Sequence, residues 1–154
     1  VRLSNIIEEV FASLSSQATE RDVSLVNEVP ADARVFADQG RLEQMITNLT
    51  DNAIKFNVSD GSVRISLAER TDRSIIQIAD TGEGIMPEQL GRIFERFYRI
   101  DRARTREVGG TGLGLAIVKH LAILQGGEIS VVSKLGEGTV FTIEIPALDG
   151  PAAR

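Results

Sequence analysis

The sequence predicts an α+β fold, a two-layer sandwich of helices laid on a sheet. Two observations carry this. Three segments repeat apolar residues at helical spacing, and at least five short segments have the β-rich composition of strands. The strands are joined by hairpin connections and not by regular βαβ alternation, which argues for the two-layer sandwich. A chain of 154 residues is long enough for one domain, burying roughly 68–70% of the surface of its unfolded form.

Leu3, Ile6, Ile7, Val10, Phe11 and Leu14 define the first amphipathic helix, over about residues 3–20. "VSLVNEV" and "RVFA" read as two short strands around Pro30. Asp38 is a suitable N-cap for a second helix whose apolar stripe is Leu42, Met45, Ile46, Leu49, Ala53 and Phe56. "GSVRISLAER" and "SIIQIAD" are strands of a hairpin turning at "TDR" and ending at Asp80. After "TGEGIMPEQL" and the short "GRIFERF", residues 98–108 are charged and lack any period, as expected of a mobile loop. Residues 113–125 form a third long helix, and "GEISVVSKL" with "GTVFTIEIP" closes the sheet around "GEG". The tail, residues 147–154, is expected to be disordered. Residues 1–146 then form the domain.

Composition limits the function. There are 17 basic and 22 acidic residues, so no general positive field recommends nucleic acid as a partner. The chain has no cysteine, which removes disulfides and thiolate metal sites and fits a cytoplasmic location. No apolar run reaches the ~18–20 residues that cross a bilayer, and Val1 opens no signal peptide. The abrupt amphipathic start reads as an excised fragment.

The stretch "REVGGTGLGLAIVKHL" places Gly109, Gly110, Gly112 and Gly114 just before a helix. Such a turn lets backbone N–H groups approach an anion, aided by the helix dipole. It is not a P-loop, because Leu115 and Ala116 stand where Lys and Ser/Thr are required, and G-x-G-x-x-G fails at Leu115. On the second helix Asn48, Asn52 and Lys55 fall on one face. Amide oxygens on successive turns suit a hard cation such as Mg²⁺, with the ammonium reaching a phosphate, although a solvated face has the same spacing. Asp80 ends a strand beside "TGEGI", where it can accept from an amino group on a flat base or simply cap the turn. Arg96, Arg99, Arg102, Arg104 and Arg106 precede the glycine-rich stretch and are suited to phosphate oxygens. The only histidine, His120, lies within the third helix.

In this order, "NLTDNAIKF" (48–56), "DTGEGI" (80–85), "FERFYR" (94–99), "GGTGLGL" (109–115) and "GEGT" (136–139) closely resemble the N, G1, F, G2 and G3 boxes of sensor histidine kinases. The likeness spans nearly the whole chain and resembles the catalytic, ATP-binding domain of two-component kinases, within the wider superfamily of Bergerat-fold ATPases. It implies a mixed sheet of about five strands covered on one face by three helices, with ATP and Mg²⁺ as cofactors. By that resemblance Asn52 ligates Mg²⁺ with Asn48 beside it, Lys55 and Arg99 approach the phosphates, and Asp80 accepts from the adenine amino group. Gly82 and Gly84 give the base room, and Ile85 and Thr139 also belong to the cofactor-binding set. Residues 98–110 form a lid, and Gly110, Thr111, Gly112, Leu113 and Gly114 its hinge and phosphate cradle.

The resemblance further implies a phosphoacceptor histidine on a separate dimerisation domain, a response regulator receiver domain as partner, and a homodimeric, membrane-associated parent whose isolated fragment is monomeric. Phe56 stands where the family often has Tyr, and Thr50 replaces a usual aliphatic residue. Two alternatives come from the same features: a self-sufficient ATPase, or a non-catalytic nucleotide-binding interaction module. Hydrolytic relatives carry a glutamate one turn before the metal-binding asparagine, and here that place is Asn48.

Overall fold

The computed structural model describes residues 1–96 and 114–147. The element order is α1 (Leu3–Glu20), β1 (Val23–Asn27), α2 (Gln39–Lys55), β2 (Gly61–Glu69), β3 (Arg73–Asp80), α3 (Pro87–Leu90), α4 (Gly114–Leu124), β4 (Glu128–Lys134) and β5 (Gly138–Pro146). The strands form a five-stranded sheet in the order β1-β2-β3-β5-β4. β1 runs parallel to β2, while β2–β3, β3–β5 and β4–β5 are antiparallel, so the sheet is mixed as expected.

Strand alternation and strand order together build the core. One cross-sheet row is Ile65, Ile78, Phe141 and Val131; the next is Leu67, Ile76, Ile143 and Ile129. Ile65, Ile76, Ile78 and Ile143 are fully buried. Against this face the helices contribute Leu3, Ile7, Leu42, Met45, Ile46, Leu49, Ile54 and Val118, all of which belong to one cluster. Removing this much apolar surface from water, at ~25 cal/mol per Å², holds the two layers together.

Asp38 caps α2 as its sequence position predicts, accepting at 2.9 Å from the Arg41 backbone N–H. Gln125, just past α4, accepts from the Asp38 backbone N–H at 3.0 Å and points its own Nε2 at the Met45 sulfur at 3.3 Å, tying α4 to α2.

Two local expectations are corrected. "RVFA" forms no strand: Arg34 makes only an isolated bridge to Arg2. The Asn27 side chain accepts from the Val29 N–H at 3.0 Å and ends β1 in a turn, and Val35 then pairs with Val1 beside α1. Too few residues remain before the Asp38 cap for a ladder. Phe56 is the half-buried C-cap of α2, not a member of its buried stripe. The expected lid, residues 98–110, and residues 148–154 of the tail lie outside the described residues. No helix among the described residues is long and apolar enough to cross a membrane.

Candidate functional site

The inward face of the sheet is mostly apolar, with Asn27 and the buried Ser74 among its exceptions, and at one end it is polar across three adjacent strands. There the row Leu25, Val63, Asp80, Thr139, Ser133 crosses all five strands, and its last three members are polar. Polar side chains on a buried face require partners. Thr139 is buried, and its Oγ1 lies 2.8 Å from the Ser133 hydroxyl. Asp80 accepts from the Gly82 N–H at 2.8 Å, and the Thr139 N–H also bears on its carboxylate. Burial nonetheless dominates and pushes the Asp80 carboxyl up to about 6, with those two amides offsetting part of the rise. A half-buried carboxylate at a strand end, held only by these amides among the described residues, is suited to take a neutral N–H donor from a ligand.

The turn after Asp80 is fastened on both sides. The Glu83 N–H donates to the Phe56 carbonyl at 3.3 Å, reaching the end of α2, and its carbonyl accepts from the Gly136 N–H at 2.7 Å. The Ile85 N–H donates to Ser133 Oγ at 2.7 Å. This close approach explains two glycines. A Cβ on Gly82 would come within 2.6 Å of the Phe56 carbonyl oxygen, and Gly84, with φ +79°, would drive a Cβ into the Lys134 carbonyl. Thr81, on the same turn, donates to Asn57 Oδ1 at 3.0 Å and accepts from the Ser62 N–H at 2.8 Å.

The α2 face lies alongside. Asn48 Nδ2 is 3.4 Å from the Gly114 carbonyl, a long contact that sets the amide against the first residue of α4. Asn52 follows one turn later and is half-buried. Lys55 forms an ion pair with Asp51 at 3.0 Å, and Asp51 in turn accepts from Gln17 of α1 at 2.8 Å.

Of the residues expected from sequence, Asp80, Gly82, Gly84, Ile85 and Thr139 are joined into one cluster, and Asn48 meets Gly114. Lys55 is turned toward Asp51. Arg99, Gly110, Thr111, Gly112 and Leu113 lie outside the described residues. Sequence reasoning missed Ser133 and Asn57. Ser133 had a usable signal, since the alternation in "EISVVSK" puts it on the face of Ile129 and Val131.

Residues 37–149 match the family described as histidine kinase-, DNA gyrase B- and HSP90-like ATPases. The chain belongs to this ATPase family. It is 39% identical over 151 residues to the sensor-like histidine kinase SenX3 of Mycolicibacterium smegmatis, covering 98% of this chain and 39% of that protein. The chain thus spans about two fifths of that relative's length. Full-length ShkA in complex with AMPPNP superposes on this ATPase domain with a TM-score of 0.82 and 32% identity, over 99% of this chain and 32% of that one. Histidine kinase ThkA in complex with the response regulator protein TrrA gives 0.77 and 26%, over 96% and 41%.

The donor set fits the cofactors that this ATPase family implies. Asp80 and Thr139, side by side on the sheet, would supply acceptors for an adenine amino group. Among the described residues no group of three His, Cys, Asp or Glu could hold a metal ion. Asn52, half-buried on α2, would offer Mg²⁺ a single amide oxygen, leaving the other ligands to phosphate oxygens.

Proposed function

We propose that this chain binds Mg²⁺-ATP and donates the γ-phosphoryl group to a histidine on a separate dimerisation and phosphotransfer domain, as part of two-component signalling. The observation that carries this reading is the polar end of the sheet's inner face: Asp80, held by the Gly82 N–H and flanked by Thr139, beside the amide-bearing face of α2. Asp80 takes the adenine 6-amino group, and Gly82 and Gly84 let the turn run close enough for Ile85 to flank the base. Asn52 offers its oxygen to Mg²⁺, and Lys55 leaves Asp51 for a phosphate oxygen. When bound, Mg²⁺ neutralises charge on the phosphate oxygens. Arg99 and the backbone of residues 110–114 complete the phosphate site, with residues 98–110 as its lid.

The acceptor is supplied from outside this chain. His120 is exposed on α4, and it serves no phosphoryl step in this reading. Asn48 is the basis for excluding water as acceptor: a positioned carboxylate base contributes typically about 10²–10⁴-fold, and an amide cannot take a proton at neutral pH. The response regulator receiver domain is the onward partner, in keeping with the ThkA–TrrA complex, and the parent is a homodimeric, membrane-associated protein in this reading.

The test uses γ-³²P-ATP with the chain alone and with a dimerisation domain carrying an acceptor histidine. Label transfer to the added domain, with slow phosphate release from the chain alone, is the expected result. Rapid phosphate release without an acceptor would establish a self-sufficient ATPase in its place.

A further inference from the structure

Ser133 is the third member of the polar row, one strand beyond Thr139 and two beyond Asp80. Its hydroxyl has one proton and two lone pairs but three partners: the Ile85 N–H at 2.7 Å, the Gly138 carbonyl at 3.1 Å and Thr139 Oγ1 at 2.8 Å. Proton counting resolves these contacts. The Ile85 amide can only donate and the Gly138 carbonyl can only accept. All three contacts are satisfied together in one arrangement, in which Ser133 gives its proton to Gly138 and receives the Thr139 proton. Thr139 Oγ1 then has no proton left for a ligand. Beside the Asp80 carboxylate it presents lone pairs alone, so the row offers acceptors to a base edge.

We propose that Ser133 is a positioning residue for base selection: by taking the Thr139 proton and holding the Ile85 backbone, it keeps the Asp80–Thr139 edge an acceptor surface that admits a 6-amino purine and rejects a 6-oxo purine. This rests on the reading of the chain as an ATP-binding domain. A carbonyl placed against this row meets lone pairs, whereas an amino group meets its complement. Sites built to pair a polar group discriminate strongly when that group is missing or reversed, because the buried partner is left unpaired. In Ser133→Ala the Thr139 proton is released and can turn toward a ligand carbonyl.

The experiment measures affinities of ATP and ITP, which differ at the 6-position, by calorimetry at pH 7.5 for the wild-type chain, Ser133→Ala, Ser133→Thr and Thr139→Val. Circular dichroism confirms folding of each. The wild type favours ATP; Ser133→Ala loses about tenfold of that ATP/ITP ratio, the equivalent of one hydrogen bond. Ser133→Thr, which retains the hydroxyl, restores it. Thr139→Val also narrows the ratio, and adding Ser133→Ala to it narrows it no further, because the two act through one proton. A merely structural role for Ser133 would weaken both nucleotides by the same factor, and that result overturns the proposal. So does an unchanged ratio in a folded Ser133→Ala. If Ser133→Ala does not fold, the ratio in Thr139→Val decides, and wild-type discrimination there overturns it. A wild-type chain that binds neither nucleotide overturns the ATP-binding reading itself, an outcome distinct from loss of the Ser133 effect.

Discussion

The Lys55 ammonium stands 3.0 Å from an Asp51 carboxylate oxygen, one turn back along α2, and Gln17 of α1 occupies the other carboxylate oxygen at 2.8 Å. Both side chains of the ion pair are partly shielded, at 19% and 31% exposure. Pairs at this spacing stabilise a helix by only about 0.3–0.5 kcal/mol, so Lys55 can leave Asp51 for a phosphate at small cost. Lys55→Met is expected to weaken ATP about tenfold or more, as for loss of a charge-assisted hydrogen bond, while thermal stability changes by less than about 1 kcal/mol. Competition with adenosine provides the control. Equal loss for adenosine and ATP would place the action of Lys55 away from the phosphates.

Asp80 has the clearest pH signature. Burial raises its carboxyl to about 6 from 3.8, so between these values the folded chain holds a proton that the unfolded chain has released. Stability contributed at this site is therefore highest below pH 3.8, falls through the window and is lost above about 6. Asp80→Asn should stabilise the ligand-free chain by about 1–3 kcal/mol at pH 8 and by little at pH 3.5, measured by urea unfolding.

Binding runs in the opposite sense to stability at this residue. An amino donor prefers ionised Asp80, so ADP affinity should rise from pH 5 to pH 7 more steeply in the wild type than in Asp80→Asn, a comparison that cancels titration of the nucleotide. At pH 7.5 the substitution should cost roughly 10- to 150-fold in affinity. Parallel pH slopes in the two proteins would remove the carboxylate from the base site.

Asn48 tests the choice of acceptor. Asn48→Asp or Asn48→Glu introduces a carboxylate one turn from Asn52, and phosphate release from the isolated chain should rise in at least one of them, toward the ~10²-fold that a general base contributes. Asn48→Ala should leave release as low as in the wild type. Faster release in Asn48→Ala would mean that the asparagine blocks water by volume, not by lacking basicity.

Thr50 gives a stability prediction apart from the site. Its side chain is fully buried on α2, and its hydroxyl has no hydrogen-bond partner among the described residues. Leaving a buried hydroxyl unpaired costs about 1–3 kcal/mol, and valine has nearly the same shape. Thr50→Val is expected to raise stability by about 1 kcal/mol, or Tm by about 2–4 °C, in differential scanning calorimetry. A decrease would show that the hydroxyl finds a partner in solution.

What the sequence determined by itself was local. Helical spacing set α1 and α2 to within a residue, Asp38 announced its cap, and β-rich runs between turn signals marked β2, β3, β4 and β5, because each signal depends on neighbours a few residues away. The ordered motifs also marked Asp80, Gly82, Gly84 and Thr139 as candidate site residues, though not what holds them. Tertiary structure decided which strands are neighbours. Alternation tells a strand which side chains share a face, yet it carries no information about which strand lies beside it, since any alternating partner buries the same face. Only the order β3-β5-β4 sets Ser133 next to Thr139 and Thr139 next to Asp80, turning three separate residues into one polar row. Packing likewise reduced "RVFA" to a single bridge and set Gln17 on Asp51, because both outcomes depend on residues more than 30 positions away, whereas the Lys55–Asp51 pair is a local contact along α2.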